Sequence, residues 1–261
     1  MSTYLDRILA AHRAAAAADD RAIEPLIAAA MAMPPARGLA AALAAESGAG
    51  RLAVIAEVKR RSPSKGDLDT ELVPGVLAKA YADGGAACLS VLTDAEFFGG
   101  SSSDLAEARA AVELPVLRKD FTVCEADVCD ARLMGADAVL LIAAALDDSE
   151  LARFSALAQQ VGLDALVEIH DEAELERALT VGATLIGVNQ RDLVTFEVDT
   201  NRAERVASAM PEGIVKVAES GVQSAGDARR LRDAGFDAVL VGEALVRSGD
   251  PVAAVEALRC S

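Results

Sequence analysis

Residues 56–66 read AEVKRRSPSKG and place Glu57 and Lys59 two apart at the end of the apolar run 52–56. In a β-strand alternate side chains share a face. Both charges therefore fall on the side of Ala53 and Ile55, positions that otherwise pack. A carboxylate and an ammonium at the end of a core-like strand are costly unless paired or used. The same pattern recurs along the chain. The ends of later apolar runs carry Thr93, Lys119, Glu168, Asn189 followed by Arg191, and Glu219-Ser220-Gly221. Carboxylates, lysines, an arginine and an amide form a set suited to proton transfers around a carbonyl.

Parity sharpens the selection. Lys119 shares a face with Leu117, Glu168 with Leu166, Asn189 with Gly187 and Glu219 with Val217. Arg118 and Lys216 have the opposite parity, and the expectation is an outer face where long stems snorkel past covering helices. The bland alternative for each inward charge is a salt bridge that fills space. Taken together, Glu57, Lys59, Lys119, Glu168, Asn189 and Glu219 favour catalysis, because buried pairs are seldom kept for stability alone.

Eight short β-rich runs carry these residues: 52–59, 87–93, 115–120, 137–143, 164–169, 184–189, 214–220 and 237–242. They recur at the spacing of strand-plus-helix units. Helical patterns at 149–162, 171–182 and 224–235 lie between them, and the last two end in glycine. Asp171 and Glu174 have capping-box spacing. MGADAVL at 134–140 and AGFDAVL at 234–240 are near copies, a sign of repeated αβ units. The fold class expected is α/β, a (β/α)8 TIM barrel with an N-terminal helical extension. A doubly wound sheet is the alternative, but the loop after the first run is RRSPSKG rather than GxGxxG. Residues 1–50 read as helical with a break at Pro34-Pro35, and form an extension packed on a catalytic barrel of residues 51–261.

In such barrels, catalytic groups sit at the C-terminal strand ends, and the loops after strands seven and eight cradle phosphate. Ser220-Gly221 and Gly242-Glu243 occupy those loops, where glycine lets backbone amides approach an anion. Phe97-Phe98 in a loop of an aromatic-poor chain reads either as a pocket wall or as local packing. His170 follows Glu168 by two and could face the pocket, but is assigned to the turn before the helix that begins near Asp171, and His12 is assigned to a helix surface.

Bulk properties narrow the partners. The chain has 261 residues, 52% of them hydrophobic, 3% aromatic, and a net charge of −16. That charge argues against nucleic-acid and anionic-membrane binding, which need a basic face. A pocket can still oppose the global sign and hold a small anion. Cys88, Cys124, Cys129 and Cys260 make no CxxC pair, and only two histidines are present, so neither a zinc site nor another metal centre is expected. Cys124 and Cys129 read as small buried hydrophobes. The N-terminus lacks a signal-peptide core and the apolar run 138–146 is too short to span a bilayer. A cytoplasmic protein is expected, a monomer or weak homo-oligomer.

The chain resembles the indole-3-glycerol phosphate synthase family over essentially its whole length. The resemblance rests on Glu57-Val-Lys59-Arg60-Arg61-Ser62-Pro63-Ser64, on Ser90-Val91-Leu92-Thr93 with Phe97-Phe98-Gly99-Gly100, and on Leu117-Arg118-Lys119-Asp120-Phe121. Val167-Glu168, 188–193 (VNQRDL) and Ala218-Glu219-Ser220-Gly221 continue it. One stretch departs: 122–127 reads TVCEAD where the family pattern runs I-V-D-P-Y-Q.

The resemblance implies ring closure of 1-(2-carboxyphenylamino)-1-deoxyribulose 5-phosphate with loss of carbon dioxide and water, in tryptophan biosynthesis and without a cofactor. By that analogy Lys119 is the general acid on the carbonyl, and Glu168 the acid/base for dehydration. Lys59 lies near the carbonyl, carboxylate and phosphate, while Glu57, Asn189 and Glu219 position substrate and lysines. Ser62, Ser220, Gly221, Gly242 and Glu243 would bind phosphate, Phe98 and Phe121 would pack the aromatic ring, and Arg191 would order the network. Phosphoribosylanthranilate isomerase and the tryptophan synthase α subunit are rivals, but neither explains Glu-x-Lys on strand one with a lysine on strand three. A non-catalytic phospho-ligand sensor would not need Lys119 and Glu168.

Overall fold

Strands buried on both faces need apolar residues at nearly every position, and the eight runs supply them. In the computed structural model, which describes residues 3–63, 65–192 and 194–259, each run becomes a parallel strand. They are β1 (Ala53–Val58), β2 (Cys88–Leu92), β3 (Val116–Lys119) and β4 (Ala138–Ile142), then β5 (Asp164–Ile169), β6 (Leu185–Asn189), β7 (Val215–Glu219) and β8 (Ala238–Val241). They close in chain order, with β1 hydrogen-bonded to β2 on one side and to β8 on the other. The loop after β1 carries a two-residue antiparallel ribbon, Arg61–Ser62 against Gly66–Asp67. Ser64, Leu193 and Cys260 lie outside the described residues.

Strand parity divides the core in two. Val54, Ala56, Leu89, Val91, Val139 and Leu141 face outward beneath the helices, while Ala53, Ile55, Leu117, Leu140, Leu166 and Val217 fill the barrel. The covering helices include α4 (Pro74–Asp83), α5 (Ser102–Ala111), α6 (Glu125–Leu133), α7 (Asp148–Gln160), α8 (Glu172–Thr180) and α9 (Arg202–Ala207), with α10 (Ala225–Asp233), α11 (Glu243–Val246) and α12 (Pro251–Leu258) completing the ring. The glycines expected to end two helices do so: Gly182 and Gly235 have φ of 73° and 87°.

Three helices precede the barrel: α1 (Tyr4–Ala18), α2 (Ile23–Met31) and α3 (Leu39–Gly48). The Pro34-Pro35 break separates α2 from α3. A second break, not foreseen, falls at residues 19–22, where Asp19 ends α1 and Arg21 turns back to pair with Asp19 and Asp130. Helix α3 closes the N-terminal end of the barrel. Leu39 and Leu43 are fully buried in the same cluster as Ala53, Cys88, Ala138 and Ala238.

The repeated Asp of the two near-copy segments belongs to this floor. Asp137 Oδ2 accepts the Val116 amide at 2.8 Å, and Asp237 Oδ2 accepts the Lys216 amide at 2.8 Å. Each ties its strand start to the preceding strand. The extension takes the other oxygens: the Arg37 amide donates to Asp137 at 2.8 Å and Ser47 Oγ donates to Asp237 at 2.5 Å. The Ala40 amide donates to Asp164 at 2.9 Å. Arg109 completes the set as an ion pair to the fully buried Asp137.

Candidate active site

At the opposite end, the strands deliver their last inward residues into one cavity of about 760 Å³. All of Glu57, Lys59, Ser62, Phe98, Lys119, Phe121, Glu168, Asn189, Arg191, Glu219, Ser220, Gly221, Gly242 and Glu243 line it. Leu92, Leu140, Ile142 and Leu240 form apolar wall between them. Parity therefore selected side chains that do converge, although they come from five different strands, β1, β3, β5, β6 and β7.

Lys119 is the centre of the charge cluster. Its Nζ donates to Glu168 Oε2 at 3.1 Å and lies 3.6 Å from Glu219 Oε2. Lys59 pairs with Glu57 at the end of β1. The Asn189 side-chain amide donates to Glu168 Oε1 at 3.0 Å, and its carbonyl accepts the Arg191 amide at 3.0 Å. Arg191 in turn donates to the Phe196 carbonyl at 3.1 Å.

Burial and neighbours push these groups apart. Burial works against the charge on Lys119, but Glu168, Glu219 and Glu57 outweigh it and hold the ammonium charged well above the ordinary lysine range. Burial likewise opposes ionisation of Glu168, and there Lys119, His170 and the Asn189 amide prevail and keep it a carboxylate. Glu219 goes the other way. Burial, with the neighbouring Glu168 charge, pushes it up to about 8. Its Oε1 is buried without a hydrogen-bond partner. Two carboxyls on either side of one lysine thus differ in protonation near neutral pH, which is how one site holds both an acid and a base.

Glycine makes room for this packing. A Cβ on Gly187 would stand 2.1 Å from Glu219 Oε1, and one on Gly242 would stand 2.3 Å from Glu57 Oε1 and 3.1 Å from Lys59 Nζ. Gly242 caps α11 and Gly221 has a φ of 76°, after Ser220 at 64°. Gly187 was missed in the sequence. An inward-facing glycine beside a charged neighbour on the next strand is the signal that identifies it.

Several expectations are corrected. Arg118 faces outward as parity requires but does not reach water. It is buried, donating to Asp120 Oδ2 at 2.9 Å, to Thr93 Oγ1 at 3.1 Å and to the Asp127 carbonyl at 2.8 Å. Thr93 belongs to that outer network, not to the cavity, because Leu92 takes the inward position. The Phe pair splits: Phe98 lines the cavity 6.3 Å from Phe121, and Phe97 packs against Tyr4 at 5.9 Å between ring centroids. The capping box of α8 is half formed. Asp171 accepts the Glu174 amide at 2.8 Å, but Glu174 reaches the amide of His170 at 2.7 Å instead of that of Asp171. Cys124 is half-buried at the N-cap of α6 rather than enclosed. In the divergent segment 122–127, Asp127 accepts the Val123 and Cys124 amides at 2.8 and 3.1 Å.

His12 is the largest departure. It is not a free helix-surface residue: its Nε2 lies 2.9 Å from Asp94 Oδ2 and 3.8 Å from Asp120 Oδ1, and its ring packs 5.5 Å from Phe121. Asp94 also accepts the amides of Phe97 and Phe98 at 2.6 and 3.0 Å, and Asp120 accepts the Phe121 amide at 2.9 Å. Helix α1 is therefore fastened to the backbone of both aromatic residues of the cavity wall. Burial opposes protonation of His12, but Asp94 and Asp120 outweigh it and raise its pKa.

Fold and site together define a (β/α)8-barrel enzyme. Solved structures support the fold alone: a thiamine phosphate pyrophosphorylase from Pyrococcus furiosus superposes with a TM-score of 0.60 at 18% identity, covering 79% of this chain and 93% of that one. The N-acetylmannosamine-6-phosphate 2-epimerase of Clostridium perfringens gives 0.60 at 16% identity, over 76% and 89%. The family model for indole-3-glycerol phosphate synthase matches residues 5–258. Indole-3-glycerol phosphate synthase 2 of Streptomyces coelicolor is 54% identical over 88% of this chain and 87% of its own. The indole-3-glycerol phosphate synthase of Mycobacterium avium is 51% identical over 97% and 93%. The chain belongs to the indole-3-glycerol phosphate synthase family.

Proposed function

We propose that the cavity takes 1-(2-carboxyphenylamino)-1-deoxyribulose 5-phosphate and closes its second ring to give indole-3-glycerol phosphate. Lys119 gives a proton to the ribulose carbonyl as the ring carbon bearing the carboxylate attacks it. That attack leaves an iminium nitrogen, which accepts the electron pair as carbon dioxide departs, so decarboxylation needs no added electron sink. Glu168 then serves the dehydration. Lys59 pairs with the anionic groups of the substrate, and Glu57, Asn189 and Glu219 hold substrate and lysines in place.

Ser62 and the backbone amides of Ser220, Gly221, Gly242 and Glu243 receive the phosphate. Phe98 and Phe121 receive the aromatic ring, and Arg191 orders the network around Asn189. Residues 1–50 act as an extension that completes the barrel residues 51–261 at both ends, a phosphorylated small molecule being the partner and the cytoplasm the place of work. What carries this reading is Lys119 held charged between Glu168 and Glu219 beside the cavity. Such a group protonates an oxygen that develops negative charge in the transition state.

The deciding experiment is a turnover assay that follows indole fluorescence with purified protein and this substrate. Multiple turnovers without added metal or cofactor support the reading. Saturable binding without any indole product would identify a phospho-ligand sensor and overturn it.

A further inference from the structure

The reaction proposed above consumes one proton per turnover, which the site must draw from a protonated group or from solvent. Ring closure places one proton on the carbonyl oxygen. Dehydration places a second on the departing hydroxyl, and one proton leaves the methylene carbon next to nitrogen as the indole forms. The carboxylate departs as neutral carbon dioxide. Each turnover therefore takes up one proton. Glu168 is only 1% exposed and Lys119 16%, so a substrate in the mouth would leave both little access to solvent.

His170 stands behind Glu168. Its Nε2 is buried, makes no hydrogen bond among the described residues and lies 3.7 Å from Glu168 Oε1. A hydrogen bond between them needs an approach of less than about 1 Å. The other nitrogen, Nδ1, lies 3.1 Å from Glu174 Oε2, which also accepts the His170 backbone amide at 2.7 Å. That carboxylate fixes the tautomer: Nδ1 carries a hydrogen toward Glu174 in either charge state, and Nε2 is left to gain or lose a proton toward Glu168. The half-formed capping box of α8 has this as its result, because Glu174 has left the Asp171 amide to hold His170.

We propose that His170 stores the one proton each turnover consumes and passes it from Nε2 to Glu168 Oε1, from where it reaches Lys119 or the departing hydroxyl. The imidazolium becomes neutral imidazole with Nδ1–H still bonded to Glu174. Nε2 takes a proton back from water once the product has left. The inference rests on the role given to Glu168 above. His170 acts through Glu168 and does not itself touch substrate.

The charged groups around the ring favour a loaded store at neutral pH. Glu168 on β5 and Glu174 on α8 face it, and Arg202 on α9 opposes them. Burial works against the charge, but the two carboxylates outweigh both it and Arg202 and raise the His170 pKa. Histidine is the side chain whose charge changes in this range.

The test is a single-turnover experiment in weak buffer with a pH-indicator dye, alongside indole fluorescence. In the parent, indole should form before proton uptake from solvent, and uptake should follow product release. In His170→Gln, uptake should coincide with indole formation. The kcat of that variant should fall about tenfold or more, less than the ~10²–10⁴-fold typical of a group acting directly, with KM little changed. Glu174→Gln removes one of the two carboxylates and should move the basic limb of the kcat profile to lower pH while leaving the low-pH plateau. That variant decides the matter if His170→Gln does not fold. Proton uptake simultaneous with indole formation in the parent overturns the proposal, as does an unshifted profile in Glu174→Gln. A Glu168→Gln variant with normal turnover would instead overturn the role of Glu168. An inactive Glu168→Gln beside a fully active His170→Gln would overturn only the store.

Discussion

The two ends of the barrel both bury carboxylates, and they treat them in opposite ways. At the floor, Asp137 and Asp237 each receive a backbone amide from the preceding strand and a second donor from the extension. Three of these four donors are main-chain amides. At the mouth, Glu57, Glu168 and Glu219 share two lysines and one amide, and Glu219 keeps a buried oxygen without a partner. An under-supplied carboxylate is destabilised as an anion, and its proton affinity rises. The floor carboxylates are thus satisfied within the fold while those at the mouth stand beside the cavity, though Asp137 is buried as fully as Glu168.

Substitutions at the two ends should separate these roles. The largest effect is expected at the mouth: Lys119→Ala should lower kcat by ~10²–10⁴-fold while the protein stays folded at the assay temperature. Steady-state indole production and a thermal melt check both halves, and normal turnover would remove Lys119 from the mechanism. Asp137→Ala should do the reverse. Breaking a buried ion pair costs about 3–5 kcal/mol, roughly 10 °C in a domain of this size, while kcat per folded molecule stays at the parent value. A similar loss of kcat in both variants would erase the contrast between the ends.

A smaller effect concerns pH. Glu219 is pushed from 4.5 up to about 8 in the folded protein. Between those values the folded chain keeps a proton the unfolded chain has lost, so its contribution to stability declines as pH climbs from about 5 to 8. Glu219→Gln removes that slope. The melting temperature of the variant, minus that of the parent, should rise across this range, and parallel curves would show that Glu219 titrates normally. The smallest effect is Ser47→Ala, which leaves one oxygen of Asp237 unpaired and should cost about 1 kcal/mol in a denaturant titration, with kinetics untouched.

The strands were legible because parallel barrel strands are apolar on both faces, so each stands out as a continuous run, and polarity at its end marks the mouth. Alternation then separated Lys119 from Arg118 and Glu219 from Lys216. Contacts between distant segments could not be read that way. His12 sits in an alanine-rich helix with nothing local to mark it, and Asp94, its partner, lies 82 residues on. The break at residues 19–22 escaped notice because it contains neither proline nor glycine. Gly187 escaped because its reason, the Glu219 side chain, is on the next strand. The floor was hidden likewise: the Asp of the repeated GADAVL and GFDAVL segments read as the first residue of the next β-rich run, and its bonds to the preceding strand and the extension appear only in three dimensions.

Helix α3 also sets an order of events during synthesis. Leu39 and Leu43 leave the ribosome early, yet the surface that covers them includes Ala238, and Ser47 bonds to a residue 190 positions later. At ~5–20 residues per second, that interval lasts roughly 10–40 s. Throughout it the growing chain carries two leucines with no finished barrel to enter. The alanines that surround them in α3 keep this waiting segment small and weakly adhesive, which suits a piece of core that is made first and buried last.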